Sequence, residues 1–180
     1  MYKKQLRKKI ISYRKKNYKI INLQYSLLKN ILKNFNLHKN KKIGAYFPIN
    51  CEIDCLEILK KLEKSGHKIS LPITRKGNKM DFFEWSSNEP ILIGKFGIPE
   101  PCSKKKVYPD ILLVPLVAFN KHKFRLGYGG GYYDRYIQKM KKIKKILTVG
   151  MAFSFQEVKK LPINKHDKKL DFIFTENYIK

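Results

Sequence analysis

A single α/β domain, with helices on both faces of a largely parallel sheet, is predicted by three features of the 180-residue sequence. Short apolar runs alternate with segments of helical periodicity, as successive strand–helix–strand units require. Residues 111–114, Ile-Leu-Leu-Val, form a near-continuous apolar run, the pattern of a strand covered on both faces. The composition supports a core: 43% of the residues are hydrophobic, with 11 Phe and 11 Tyr, which excludes a disordered basic tail. The whole chain, 1–180, is expected to form one domain of three layers, α/β/α, opened by a basic helical segment.

Residues 3–16 read as the first helix. Leu6, Ile10 and Tyr13 recur at helical spacing and make an apolar stripe. At about 100° per residue, Lys3, Arg7 and Arg14 fall in a narrow arc beside that stripe. They are placed either to face one anion together or to form the wet flank of a surface helix. A second helix is expected over 18–34, with Ile20, Ile21, Leu23, Leu27, Leu28, Ile31 and Leu32 inward.

Residues 42–47 read as a short buried strand ended by Pro48. Residues 54–64 read as a helix with Leu56, Ile58, Leu59 and Leu62 apolar and Gly66 just past its end. A strand over 68–71 stops at Pro72, and another over 79–85 follows a turn at Gly77-Asn78. After the covered strand at 111–114 come a helix over 132–140 and strands over 146–152 and 171–175. Ligands of such sheets sit beyond the carboxyl ends of the strands. The loops after Phe47, Val114, Ala152 and Thr175 are therefore where chemistry is expected.

Lys and Arg number 40 against 14 Asp and Glu, a formal charge of +26. Such a charge suits a polyanion, but only five of the basic residues are Arg, the type preferred for bidentate phosphate and base contacts. Ala occurs three times while Lys, Ile and Asn, whose codons are AT-rich, abound. Compositional bias therefore accounts for much of the charge, and other cytosolic proteins of the same source should share the Lys excess. The distribution is informative nonetheless: no Asp or Glu precedes Glu52, so the first part of the chain is wholly basic.

The longest apolar stretch, 111–119, is broken by Pro115 and falls short of the roughly 18 residues a membrane span needs. The first residues carry no apolar signal region. Cys51, Cys55 and Cys102 then read as reduced thiols of a cytoplasmic protein. Their irregular spacing with His67 does not suit zinc. The pair His166-Asp167 lacks the further ligands of a two-metal hydrolase.

The most informative segment runs from Val114-Pro115-Leu116-Val117-Ala118-Phe119-Asn120 to Arg125-Leu126-Gly127-Tyr128-Gly129-Gly130-Gly131-Tyr132-Tyr133-Asp134-Arg135. Four Gly in five positions follow a buried strand and precede a helix. Glycine lets backbone N–H groups approach a ligand closely, and at a helix N-terminus such groups cradle phosphates. Arg125 adds positive charge, and Asp134 stands where a carboxylate can hold Mg²⁺. The loop has no Gly-Lys-Ser/Thr, so it is not a Walker A motif, and Tyr132 breaks the dinucleotide pattern. Tight docking of a helix is the alternative use of these glycines.

Arg-Leu-Gly-Tyr-Gly-Gly-Gly-Tyr-Tyr-Asp-Arg, preceded by Val-Pro-x-x-Ala-Phe, resembles the signature of the 5-formyltetrahydrofolate cyclo-ligase (5,10-methenyltetrahydrofolate synthetase) family. Weaker pieces agree in order: Lys3-x-x-Leu6-Arg7, Tyr46-x-Pro48-x-x-x-Glu52-Ile53-Asp54, Leu71-Pro72, Phe82-x-x-Trp85, 96–101, Phe155-Gln156, Leu161-Pro162, His166-Asp167, and Leu170-Asp171 with Thr175-Glu176. Many members have Asp where this chain has Asn120, and Cys55 stands where Thr is common.

The resemblance implies ATP-dependent closure of 5-formyltetrahydrofolate to 5,10-methenyltetrahydrofolate with release of ADP and phosphate. It places ATP against Lys3, Lys4, Gln5, Leu6 and Arg7 of the first helix and against Arg125, Leu126, Gly127, Tyr128, Gly129, Gly130, Gly131, Tyr132 and Tyr133 of the loop. It gives catalytic roles to Arg125 and Tyr133, folate contacts to Phe47 and Glu52, and Mg²⁺ to Asp134 and Asp171. Trp85 either stacks on the flat folate ring or lies in the core. ATP and 5-formyltetrahydrofolate are the expected partners of a monomer, with no membrane and no specific nucleic acid. The rival from another class is a basic RNA-binding module without catalytic activity, which the scarcity of Arg opposes.

Overall fold

The computed structural model describes residues 2–19, 21, 23–34, 40–94 and 97–180. Helix α1, Tyr2–Lys16, ends where Asn17 turns its side-chain amide back onto the Tyr13 carbonyl. The next helix is shorter than the expected 18–34: α2 spans Tyr25–Asn34. The connecting chain instead lays Leu23 into the core, and Leu28 follows it. Ile20 lies outside the described residues, as do the side chains of Leu27, Ile31 and Leu32 and, further on, Phe96.

Strand β1, Lys42–Gly44, leads through the extended residues 45–49 into α3, Leu56–Lys64. The Asp54 carboxylate accepts the Leu56 N–H at 2.8 Å at the helix start. Strand β2, Lys68–Arg75, runs straight through Pro72 instead of stopping there. The Ser70 carbonyl accepts the Ala45 N–H, so Ser70, Pro72 and Thr74 turn their main-chain groups toward β1. Past Ser70, however, β1 has ended, and the missing N–H of Pro72 costs no ladder bond. The turn at Gly77-Asn78, both at positive φ, joins β2 to β3, Lys79–Glu84.

Three short strands follow: β4 (Ile91–Ile93), β5 (Pro99–Pro101) and β6 (Lys106–Val107). Then come β7 (Ile111–Pro115), the hairpin of β8 (Ala118–Phe119) and β9 (Arg125–Leu126), α4 (Tyr132–Ile143), β10 (Leu147–Met151) and β11 (Phe172–Phe174). The sheet order is β11-β10-β7-β1-β2-β3-β6. Its first five strands are parallel, while β3 and β6 add an antiparallel edge.

The apolar run of β7 explains the layering. Ile111 and Leu113 pack with Ile58, Leu59 and Leu62 of α3 on one face. Leu112 and Val114 pack with Tyr136, Ile137 and Met140 of α4 on the other. A third cluster sets Leu6, Ile10 and Ile11 of α1 against Val117, Ala118 and Leu126 at the β8–β9 hairpin. The apolar stripe of α1 thus docks the basic helix beside the glycine loop. No helix among the described residues is long and apolar enough to cross a membrane.

Strand order fixes where a ligand fits. From β1 the chain moves one way to β2 through α3; from β7 it moves the other way to β10 through α4. The loops after β1 and β7 therefore part company between adjacent strands and leave a crevice at their carboxyl ends.

Candidate active site

A cavity of about 650 Å³ fills that crevice. The β1 loop contributes Tyr46, Phe47, Ile49 and Glu52, and the segment after β7 contributes Pro115 and residues 125–135. Helix α1 adds Lys3 and Arg7, and the late loop adds Asn164, His166 and Asp167. At the far wall, β5 is tied to β2 by Glu100, whose carboxylate accepts the Thr74 N–H at 3.1 Å.

At one end the positive groups converge. Arg7 Nε donates to the Gly127 carbonyl at 2.7 Å, which places its guanidinium along the glycine loop. Gly129 has φ +113°, a conformation that residues with a side chain rarely adopt, and a Cβ there would stand 3.5 Å from Arg7 Cζ. Lys3 Nζ lies 2.7 Å from Asp167, whose carboxylate also accepts the Asn164 N–H. Arg125, only 6% exposed, points Nη2 at Asp134 Oδ1 at 3.2 Å and spreads over the Tyr133 ring. Its Nε and the Tyr133 hydroxyl are buried and have no hydrogen-bond partner among the described residues.

At the other end Glu52 is buried and accepts the Ile49 N–H at 3.0 Å. Burial pushes its carboxyl up to about 7; the Ile49 N–H, the Arg14 guanidinium and the Tyr128 hydroxyl pull it partly back. Burial likewise pushes the Tyr128 phenol up to about 12 and the Tyr133 phenol well above its usual range.

The expected ATP residues fall into two groups. Lys3, Arg7 and all of 125–133 border the cavity. Lys4 and Gln5 are exposed outside it, and Leu6 belongs to the cluster that docks the helix. Phe47 and Glu52 border the cavity, but Trp85 does not: it is 7% exposed and packs in the core on the α3 side. Of the two expected metal carboxylates, Asp134 borders the cavity and Asp171 does not. Asp171 Oδ2 accepts the Thr148 N–H at 2.8 Å and its hydroxyl at 2.6 Å, fastening the start of β11 to β10. Asp167, which sequence reasoning did not single out as a site residue, borders the cavity instead. Asn164 Oδ1 holds it in a local turn by accepting the His166 and Asp167 N–H groups. Arg135, the last residue of the signature, and Gln138, about two helical turns beyond the glycines, also border the cavity, although sequence reasoning gave neither a role.

The model of the 5-formyltetrahydrofolate cyclo-ligase family matches residues 1–176. This chain belongs to that family. Among relatives, it is 35% identical over 137 residues to the 5-formyltetrahydrofolate cyclo-ligase of Haemophilus influenzae, covering 72% of this chain and 73% of that protein. It is 30% identical over 145 residues to the Escherichia coli K12 protein of the same name, covering 76% and 79%. The solution NMR structure of Aquifex aeolicus 5,10-methenyltetrahydrofolate synthetase superposes with a TM-score of 0.76 at 32% identity, covering 100% of this chain and 92% of the other. The Mycoplasma pneumoniae synthetase gives 0.72 at 25% identity, covering 98% and 99%. Family membership leaves the RNA-binding alternative without support.

Proposed function

We propose that the cavity binds ATP and 5-formyltetrahydrofolate together and closes the folate to 5,10-methenyltetrahydrofolate, releasing ADP and phosphate. The observation that carries this reading is the pairing of ends. Lys3, Arg7, Arg125 and the glycine loop make one end a phosphate grip, while buried Glu52 makes the other an acceptor for heterocyclic N–H donors. The cations of α1 that face inward are engaged with the cavity wall, as Arg7 is with Gly127, rather than left on a free surface.

The formyl oxygen on N5 is amide-like and leaves poorly. Its attack on the γ-phosphorus expels ADP and converts it to a phosphate leaving group. N10 then attacks the activated carbon, the C–O bond breaks with loss of phosphate, and N10 gives up its proton. This chain supplies position and charge, as phosphoryl transfer requires. Arg125, Tyr133 and the glycine loop border the cavity where charge on a transferring phosphoryl group needs donors. Buried Tyr46 and partly buried Tyr133 border the cavity and limit the water that reaches a bound substrate.

Two carboxylates, Asp134 and Asp167, reach the phosphate end, and Lys168, next to Asp167, donates its N–H to Asp134 at 3.0 Å. Mg²⁺ commonly takes one or two carboxylates with substrate phosphates and water, so this pair fits it, whereas Asp171 is committed to Thr148. When bound there, Mg²⁺ offsets charge on the phosphate oxygens.

The reading takes the protein as a monomer of one domain. The three cysteines are free thiols, consistent with the cytoplasm. Incubation with 5-formyltetrahydrofolate and MgATP should generate the ultraviolet absorbance of the methenyl product; no ATP-dependent product would overturn the reading.

A further inference from the structure

Arg14 sits where three parts of the cavity wall meet, and it is completely buried. Each arm of its guanidinium holds a different segment. Nε donates to the Asn50 carbonyl at 3.1 Å, in the loop after β1. Nη1 donates to the Leu116 carbonyl at 3.2 Å, in the loop after β7. Nη2 donates to the Tyr128 hydroxyl at 2.5 Å, in the glycine loop, with the guanidinium carbon 5.9 Å from the centre of the same ring. Among the described residues Arg14 has no ion pair within 4 Å; the carboxylate it stabilises through space is Glu52.

A buried cation on three neutral acceptors is costly unless its fork does something an apolar side chain cannot. Here that is geometry. Asn50 and Cys51 both take left-handed φ, +49° and +58°, to turn the chain back so that Glu52 closes on Ile49. Such strain persists only where neighbours over-determine it. The Arg14 bond to the Asn50 carbonyl is one such determinant, two residues before Glu52.

We propose that Arg14 is a positioning residue for the folate half of the reaction, tying the β1 loop to the glycine loop so that Glu52 and the Tyr128 hydroxyl face the substrate heterocycle as one unit. The proposal rests on the folate reading above. The groups acting on or facing Glu52 are Arg14 from α1, Tyr128 from the glycine loop, Tyr46 and Cys55 from its own segment, and Tyr133 from α4. Burial keeps the three phenols and the thiol neutral near pH 7, so Arg14 is the charged one. Glu52 must be ionised to accept two donors, so folate kcat/KM falls on the acid side as Glu52 protonates. Removing the Arg14 charge moves that limb to higher pH.

The test compares Arg14→Lys, Arg14→Gln and Tyr128→Phe in the full chain, with steady-state kinetics in both substrates and a pH profile. In Arg14→Gln the folate KM should rise about tenfold or more, the ATP KM less than about threefold, and the acid limb should move up. Arg14→Lys keeps the charge but not the fork, so its folate KM should rise while its limb stays in place. Tyr128→Phe should raise the folate KM, and its combination with Arg14→Lys should add little more, as coupled residues do. Equal loss for both substrates, or an unmoved limb in Arg14→Gln, would overturn the proposal and mark Arg14 as merely structural. Should Arg14→Gln not fold, an unchanged folate KM in the other two variants would overturn it as well. Wild-type protein without turnover would instead remove the folate reading itself.

Discussion

Arg125 and Asp134 form a largely buried ion pair, Nη2 to Oδ1 at 3.2 Å, while the Nε of the same guanidinium has no hydrogen-bond partner among the described residues. The carboxylate fixes one edge of the planar fork where Arg125 borders the cavity. Arg125→Lys keeps charge but loses the fork, and should lower kcat by about 100-fold, the scale of losing one preorganised donor. Asp134→Asn keeps an acceptor for the Lys168 N–H and should lower kcat similarly while raising the Mg²⁺ needed for half-maximal rate. Circular dichroism of both variants should match the parent. Near-normal turnover in both would remove the phosphate-grip assignment.

Glu52 links function to stability through pH. Its carboxyl sits at about 7 in the folded chain against an ordinary 4.5, because burial disfavours the charge. The unfolded chain therefore releases this proton first. The contribution of Glu52 to stability is complete below pH 4.5, declines between 4.5 and 7, and is lost above. At one pKa unit per ~1.4 kcal/mol the decline is about 3 kcal/mol. Glu52→Gln should flatten that part of the pH–stability curve and raise the melting temperature at pH 8, while weakening folate binding. Denaturant titrations at pH 4.5 and pH 8 measure this directly; equal slopes for the two proteins would refute it.

Asp171 and Asp167 separate a structural carboxylate from a site carboxylate. Asp171→Ala strands the buried Thr148 N–H and hydroxyl and should cost about 1–3 kcal/mol of stability, with the Mg²⁺ dependence of surviving activity unchanged. Asp167→Asn should do the reverse, raising the Mg²⁺ and ATP requirements with a smaller change in melting temperature. An Asp171 variant with altered Mg²⁺ dependence would restore the alternative metal site.

The glycines of the loop are not equivalent. Gly129→Ala forces a side chain into φ +113° and should cost about 1–3 kcal/mol, although the added methyl stands at ordinary contact distance, 3.5 Å, from Arg7 Cζ. At Gly127 the backbone is ordinary and the nearest atom to an added Cβ is Arg125 Nη1 at 3.6 Å, so Gly127→Ala should fold with nearly parental stability. Thermal melts without ligand compare the two.

Asn120 is a turn acceptor. Its Oδ1 receives the N–H groups of His122 at 3.0 Å and Phe124 at 3.1 Å, bonds that a carboxylate makes equally well. Asn120 is buried, however, so Asn120→Asp should keep the turn and turnover while costing about 1–3 kcal/mol at neutral pH for the charge it buries.

Local pattern was enough to reveal the succession of strands and helices, the two-sided burial of Ile111 to Val114, and the glycine loop, because each depends on periodicity or on conformations particular residues alone adopt. It also placed Lys3 and Arg7 on one flank of α1. Which residues meet across the chain was decided only by the tertiary structure. Strand β2 passes through Pro72 because β1 stops short of it, a matter of a neighbour's length. Asp171 and Trp85 bear chemistry-capable side chains, yet the first faces Thr148 and the second the core, because the register of β11 and β3 turns them there. Arg14, one more Lys-or-Arg position on a basic helix, became a buried clamp because the α1 stripe docks on the β8–β9 hairpin and carries it beneath Tyr128. Propensity and spacing act within a few residues; the partners of a buried charge are chosen by packing between segments far apart in the chain.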